Sequence, residues 1–311
     1  MLMFILRRLG TIILTMIALT MIVFYLVNLE PNLEKIAKTE GNQRMTDAEV
    51  DVWLEEHGYG GPFLERYATW LGNFVQGDMG QSLRFQQPVE EVMPQRLWYT
   101  AKLMFWVMIV MVPGALIIGV LAGMREGSTL DRGLSVASIA STSAPEYVTG
   151  IIFVVIFASA LGWFKGVASA EDISFENFTL PVLTMAIYGI GYIARMTRAS
   201  MAEVMTSQYI RTARLKGLSF RAVVTKHALR NALIAPFTVI MLQFPWLLTG
   251  VVIVEAMFNY KGFGWTLVYA AENNDIDLLL ACSVVAVVIV LATQLISDIG
   301  YAYLNPRIRV S

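Results

Sequence analysis

Six stretches of this chain approach or exceed the length and apolarity needed to cross a bilayer: 9–27, 101–124, 133–163, 179–204, 232–256 and 278–303. A helix needs about 20 apolar residues to cross the hydrocarbon layer, and in lipid the backbone must satisfy its own N–H and C=O groups. Such runs are helical, so the expected fold is an all-α, polytopic membrane protein with about six transmembrane helices. By length alone the 311 residues would allow about two soluble domains. Only 15% of them are charged, however, against about 25% in soluble domains. The run at 9–27 follows Arg7 and Arg8 as a signal peptide would. It is too long for an h-region and lacks an Ala-x-Ala site, so it reads as an uncleaved first span. The single cysteine, Cys282, forms no intrachain disulfide, and His57 and His227 are too distant in sequence to suggest a metal centre.

Two of the runs carry breaks. The third is too long for one straight span and contains Ala144-Pro145, where the missing N–H and the proline ring predict a kink or break. The fifth holds Pro236 and Pro245 with Gln243 between them, and an amide in that setting faces a neighbouring helix or a cavity rather than lipid. Of the acids in or near the spans, Glu146, Glu255 and Asp298 are singled out, because intramembrane acids are functional candidates by default. Glu255 and Asp298 lie near predicted helix ends, where solvation is easier, so a structural or capping role competes for both. Ser141, Ser143, Glu146, Gln243 and Glu255 are therefore the translocation-path candidates.

Lys and Arg bias sets the orientation. With the N-terminus in the cytoplasm, 14 of the 23 Lys and Arg fall inside, among them Arg7, Arg8, Arg125, Arg132, Arg307 and Arg309. Both termini are then cytoplasmic, and the long segment after the first span lies outside. This gives an N-terminal end and first helix at 1–27, an extracytoplasmic cap at 28–98, a five-helix core at 99–304 and a cytoplasmic tail at 305–311. In the cap, Thr46-Asp47-Ala48-Glu49 is a capping-box pattern, Gly58 a natural stop, and Gly60-Gly61-Pro62 a restart. Phe63, Tyr67, Trp70, Leu71 and Phe74 follow at helical spacing and could cover an apolar surface at the membrane interface. Helices are expected there rather than strands.

The chain has no G-x-x-x-x-G-K-[ST] phosphate loop, no HExxH, no GxSxG and no CxxC. It should not bind and hydrolyse ATP through such a loop, and a proton relay would need a chain of acids that is missing. Charge instead concentrates between the fourth and fifth runs, in SQYIRTARLKGLSFRAVVTKHALRN (207–231), with six Lys or Arg, one His and no acid. The pattern is helix, glycine, helix. Ser207 can cap the first helix and Gly217 can end it; Tyr209, Ile210 and Ala213 share one face, while Arg211 and Arg214 project elsewhere. Ser219 can cap a second helix with Phe220, Val223, Val224 and His227 at helical spacing. Three readings follow: a positive-inside loop with an interfacial helix, a helix-turn-helix, or a short helix that inserts into a partner. Nucleic-acid binding fails on context, because spans abut both ends and there is no separate basic domain.

The run Tyr209-Ile210-Arg211-Thr212-Ala213-Arg214-Leu215-Lys216-Gly217-Leu218, followed by His227-Ala228-Leu229-Arg230-Asn231-Ala232, resembles the coupling loop of ABC importer permeases. The subgroup it is most similar to is the dipeptide/oligopeptide/nickel family, of the first-permease (DppB/OppB-like) type. Further blocks carry the resemblance: Ile5-Leu6-Arg7-Arg8-Leu9, Trp70-Leu71-Gly72-Asn73, Gly77-Asp78-Met79-Gly80-Gln81-Ser82-Leu83, Arg195-Met196-Thr197-Arg198-Ala199-Ser200-Met201 and Glu255-Ala256-Met257-Phe258-Asn259-Tyr260-Lys261-Gly262-Phe263-Gly264. Two sites depart from it. Lys261 stands where the family commonly has proline, and Asn274-Asp275-Ile276-Asp277 where Arg-Asp-Tyr-Pro is common.

The resemblance implies the type I ABC importer permease fold, in a bacterial or archaeal cell membrane (the inner membrane of a Gram-negative cell). It implies a non-catalytic subunit that forms half of a path for peptides or a similar small solute, with oligosaccharides, opines or nickel chelates as alternatives. Its partners would be a second permease, two ATPase subunits that bind the ATP and magnesium, and an extracytoplasmic substrate-binding protein. Tyr209, Ile210, Arg211, Thr212, Ala213, Arg214, Lys216 and Gly217 would form the coupling site at 206–230. Tyr209, Ile210 and Ala213 would fill the partner cleft, and Asp78, Gly80 and Ser82 of the cap would seat the binding protein or gate the mouth. A self-sufficient channel or proton-coupled carrier built on Glu146, Gln243 and Glu255, and a purely structural subunit, are the rival readings.

Overall fold

The computed structural model describes residues 2–304, with side chains described for 9–297 apart from 245 and 249. The side chains of Arg7, Arg8, Pro245 and Asp298, and all of Arg307 and Arg309, lie outside the described residues. Among the described residues, fourteen α-helices and one strand pair follow each other in chain order, with three short π-helical stretches between them. They begin with α1 (Leu2–Val27), α2 (Glu30–Ile36), α3 (Asp47–Glu56), α4 (Phe63–Gln76), β1 (Gln81–Ser82) and β2 (Gln87–Pro88). Next come α5 (Val89–Gly123), α6 (Thr129–Ser143), α7 (Glu146–Phe153) and α8 (Phe175–Met205). The last are α9 (Gln208–Leu215), α10 (Phe220–Ala222), α11 (Leu229–Ala232), α12 (Ile234–Met257), α13 (Phe263–Glu272) and α14 (Ile276–Leu304). Among the described residues, four helices are long and apolar enough to cross a membrane, or up to six if each of two bent pairs counts as one span. The pairs are α6 with α7, bent by 100°, and α10–α11 with α12. The first bend falls at Ala144-Pro145, where the break was expected.

The chain divides into two compact units: residues up to Trp98 together with Gly262–Ala292, and Tyr99–Lys261 together with the residues from Thr293 on. In the first unit the expected capping box forms, with the Thr46 amide and hydroxyl both donating to Glu49 Oε2 at 2.7 and 2.9 Å. Gly77, at φ +96°, ends α4 in the left-handed conformation that costs glycine least. The aromatic face of α4 is not left to a membrane surface. Tyr67 is buried with Phe24, Ile36, Ile276 and Leu280, with Phe63, Trp70 and Leu71 packed on that cluster, and the Tyr67 and Thr20 hydroxyls share a 2.7 Å hydrogen bond. The amphipathic pattern was legible, but its cover is the chain's own α1 and α14. A two-residue antiparallel ladder, β1 with β2, interrupts the expected all-helical cap.

In the second unit α8 is the central element. Sixty-seven per cent of its apolar window is buried, against 17–33% for α1, α5 and α14, so the others present most of their apolar surface outward. Small residues explain how α8 can be surrounded, because they let helix backbones approach closely in a membrane. A Cβ placed on Gly123 of α5 would lie 2.5 Å from the Arg198 carbonyl oxygen and 2.7 Å from Met201 Cβ. One on Gly191 of α8 would lie 2.6 Å from the Ser138 carbonyl of α6. Gly123→Leu therefore must push α5 off α8, and overpacking of this kind costs about 1–3 kcal/mol. Thermal unfolding in detergent should fall by about 2–9 °C. Gly72→Leu, where a Cβ meets nothing within 4 Å, should leave the transition in place. Equal transitions for the two variants would overturn this account of the packing.

Candidate functional site

The basic segment begins as α8 ends at Met205; Thr206 and Ser207 turn the chain and α9 follows. Ser207 occupies the N-cap position, but its hydroxyl donates back to the Val204 carbonyl at 2.7 Å and does not cap α9. The C-terminus is closed in full. The Gly217 amide donates to Arg214 O at 3.0 Å and the Leu218 amide to Ala213 O at 3.4 Å. With Gly217 at φ +79°, this is the Schellman arrangement. Ser219 then caps the second helix by accepting from the Ala222 amide at 3.4 Å.

The two faces of α9 differ sharply. Ile210 (0% exposed) and Ala213 are buried among Met201, Met205, Val223, Val224, Ala228 and Ala232 of the same chain. The expectation that they fill a partner cleft is thereby corrected: they dock α9 onto the end of α8 and the segment that returns to α12. Tyr209 is part exposed and accepts a hydrogen bond from Asn231 Nδ2 at 2.9 Å. The outward face carries Arg211, Thr212, Arg214, Leu215, Lys216 and Gly217, all exposed, with Leu215 at 80%. Among the described residues no carboxylate pairs with Arg211, Arg214 or Lys216. The result is a cationic rim around an exposed leucine, on a helix packed from behind through Ile210 and Ala213.

The support behind it includes an ion pair that sequence reasoning missed. Asp131, 2% exposed in the first turn of α6, accepts from Arg198 Nε and Nη2, both at 2.8 Å. It also accepts from the Gly127 amide at 2.8 Å and the Ser135 hydroxyl at 3.1 Å. Arg198 further reaches Glu126 at 3.5 Å. An acid beside a basic loop has no one-dimensional signature, and its partner lies 67 residues away.

The path candidates are not gathered into one site. The Ser141 and Ser143 hydroxyls bond back to Ser138 O and Ile139 O of their own helix, at 3.0 and 2.8 Å. Glu146 opens α7 just after the break and is half-buried; a Cβ on Gly250 of α12 would lie 3.9 Å from its Oε1. Gln243 is buried on α12. Glu255 corrects the expectation of easy solvation: it is 0% exposed and accepts from Thr100 Oγ1 at 2.5 Å. Nearby, the Tyr260 hydroxyl donates to Tyr99 O at 2.8 Å, and burial pushes its pKa up, so it stays protonated as that donor. Both groups hold α12 and the loop after it to α5.

In the first unit the cap candidates close onto the stretch that departs from the family pattern. Ser82 donates to Asp275 Oδ2 at 2.6 Å and the Arg84 amide to the same oxygen at 3.2 Å. The Gln81 amide donates to Asp277 Oδ2 at 3.1 Å. Gly80, at φ +83°, could carry no side chain, because a Cβ would lie 2.6 Å from Asp277 Cγ. Asp78 accepts from the Gly80 amide at 3.0 Å. Among the described residues no group of three or more His, Cys, Asp or Glu is placed to hold a metal ion.

Residues 115–310 match the family of binding-protein-dependent transport system inner membrane components. The chain belongs to that family. The oligopeptide transport system permease protein AppB of Bacillus subtilis is 34% identical, over 85% of this chain and 86% of its own. The di/tripeptide transport system permease protein DppB of Pseudomonas aeruginosa is 32% identical over 99% of both chains. The dipeptide transport system permease protein DppB of Haemophilus influenzae is 31% identical over 98% of this chain and 99% of its own. An amino acid ABC transporter crystallised with histidines shares the fold, with a TM-score of 0.51 at 15% identity, covering 66% of this chain and 90% of that one. This binding-protein-dependent permease is thus a multi-pass membrane subunit of an ABC importer, a class that works with ATPase and substrate-binding partners.

Proposed function

We propose that this permease forms half of a translocation path for peptides or a similar small solute, and that the outward face of α9 is where an ATPase subunit grips it. The observation that carries the reading is the two-sided build of α9. Its apolar side is locked onto α8, while Leu215 stands 80% exposed within a cationic rim that nothing in the described chain neutralises. Leu215 and Tyr209 supply contact area, and Arg211, Arg214 and Lys216 fix register against acids or helix ends of the partner. Chemistry enters from that partner, because the permease is a non-catalytic subunit; two ATPase subunits, a second permease and an external binding protein complete the assembly. The basic loop and both termini lie in the cytoplasm, and Asp78, Gly80 and Ser82 shape the external mouth. Peptide cargo rests on what the similar permeases are named for; oligosaccharides, opines and nickel chelates are the alternatives.

Cysteine cross-linking in the assembled complex tests the gripping surface. Leu215→Cys should cross-link to an ATPase subunit, whereas Ala213→Cys, 5% exposed on the opposite side, should not. Native Cys282 is buried and gives a low background. The coupling reading is lost if Leu215→Cys gives no product, or if both positions react alike.

A further inference from the structure

The helix that delivers α9 is fastened to its neighbours over one short stretch. Arg198 and Asp131 use a two-pronged fork, and the carboxylate's remaining acceptor sites go to the Gly127 amide and the Ser135 hydroxyl. The Asp131 amide is itself held by the N-cap hydroxyl of Ser128 at 3.1 Å. A carboxylate with every acceptor direction filled has one arrangement, and such pairs specify geometry more than they add stability. On the same stretch Gly119 and Gly123 bring α5 against the α8 backbone. Ser200 Oγ donates to Ala232 O at 2.9 Å, tying α8 to the end of the basic segment. Arg198 sits seven residues before the end of α8 and Asp131 twelve before the end of α6. At 1.5 Å per residue, that is about 10 Å from the joint to the start of the α8–α9 turn and about 18 Å from the joint to the Ala144-Pro145 break.

We propose that Arg198 and Asp131 are positioning residues that make α9, the foot of α8 and all of α6 one rigid block. Motion imposed at α9 is thereby delivered to the Ala144-Pro145 break and to Glu146 beyond it. The inference rests on α9 being the surface that the ATPase subunit moves. Helices transmit displacement along their axes without loss only if their junction cannot pivot. A single hydrogen bond or a lysine would leave a pivot; the two parallel bonds of a guanidinium do not.

The test uses the complete complex in nanodiscs, with nitroxide labels at Leu215→Cys on α9 and Val136→Cys on α6, both exposed. Pulsed EPR compares their separation without nucleotide and with ATP plus vanadate. With the native pair the separation should be the same in both states. In Arg198→Lys or Asp131→Asn, which keep size while removing the fork or the charge, it should broaden and shift on adding nucleotide. ATP hydrolysis without binding protein should stay within about twofold, while its stimulation by binding protein falls about tenfold. The charge-swapped pair Arg198→Asp with Asp131→Arg should restore part of the stimulation. A separation that changes with nucleotide in the native protein overturns the proposal. So does one that stays constant in the variants, or stimulation and basal hydrolysis falling in proportion. Loss of the Leu215 cross-link would instead remove the coupling surface while the block's rigidity remained measurable, so the two failures are distinguishable.

Discussion

Ile210→Asp is expected to uncouple this permease from its ATPase subunits while leaving the membrane spans folded. At eight residues, α9 is far below the roughly 12–15 residues at which an isolated helix becomes marginally stable in water. Its order comes from docking, and Ile210, 0% exposed among Met201, Met205, Val223 and Val224, is the centre of that contact. Truncating a buried isoleucine to alanine costs about 2–5 kcal/mol, and placing a carboxylate there adds a desolvation penalty of several kcal/mol. That exceeds what an eight-residue helix can recover from its own hydrogen bonds and the Schellman turn at Gly217. Undocked, α9 presents Leu215 and its cationic rim in no fixed geometry. Co-purification of the ATPase subunits with tagged permease should fall by more than about tenfold, since 1.4 kcal/mol already corresponds to tenfold in an equilibrium. Thermal unfolding of the spans should change little, because the α8 core at Leu180, Met185 and Ile193 belongs to a different cluster. Leu215→Asp is the companion: it disturbs no internal contact, so any loss it causes is a loss of partner contact. Wild-type co-purification by Ile210→Asp would show that α9 does not depend on its buried side.

How much of this could be read from the chain alone depends on how far apart the interacting residues lie. Spans follow from apolar length, the break from one proline, and the limits of α9 from Ser207 and Gly217, all within a few residues of the feature they determine. The two-sidedness of α9 was also legible, because Ile210 and Ala213 share a face, although Tyr209, expected with them, is exposed. What covers that face was not: the covering residues, Met201 and Val223 to Ala232, sit on both flanks, and periodicity cannot tell an intramolecular cover from a partner. Glu255 misled for a related reason. A position near a helix end is near solvent only if nothing packs over it, and Thr100, 155 residues earlier, does. Asp131 with Arg198, and Ser82 with Asp275, are likewise long-range pairs of ordinary polar residues. They carry no motif, yet they hold the elements on which the candidate site depends.

The last of these pairs leads to the second large effect, at Asp275. Its side chain is 0% exposed and accepts from Ser82 Oγ, from the Arg84 amide and, at 3.4 Å, from the Leu278 amide in the first turn of α14. Asp275→Ala leaves a buried hydroxyl and two amides without their acceptor. Each orphaned donor costs about 1–3 kcal/mol, and losing a helix N-cap about 0.5–2 kcal/mol. These costs overlap, because the loop can relax toward water, so a net local penalty of about 3–6 kcal/mol is expected rather than the full sum. It falls on the segment Gly77–Gln87, whose regular structure is limited to the two-residue ladder and whose other ties near Asp275 are single hydrogen bonds, Gln81 N to Asp277 and Arg84 Nη2 to Asn273 O. Arg84 is exposed within that segment, so trypsin cleavage after it reports the opening directly. Cleavage should accelerate at least about tenfold in Asp275→Ala, since proteolysis follows the population of the open form. Asp275→Asn keeps a carbonyl oxygen for Ser82 or Arg84 and should stay within about threefold of the native rate, as a neutral acceptor loses only part of a charged one's strength. If the external binding protein seats on Asp78 and Gly80, with Ser82 buried beneath them, its stimulation of ATP hydrolysis should fall in Asp275→Ala and survive in Asp275→Asn. Cleavage at the native rate in Asp275→Ala would mean that α4 and the ladder hold the segment without the carboxylate.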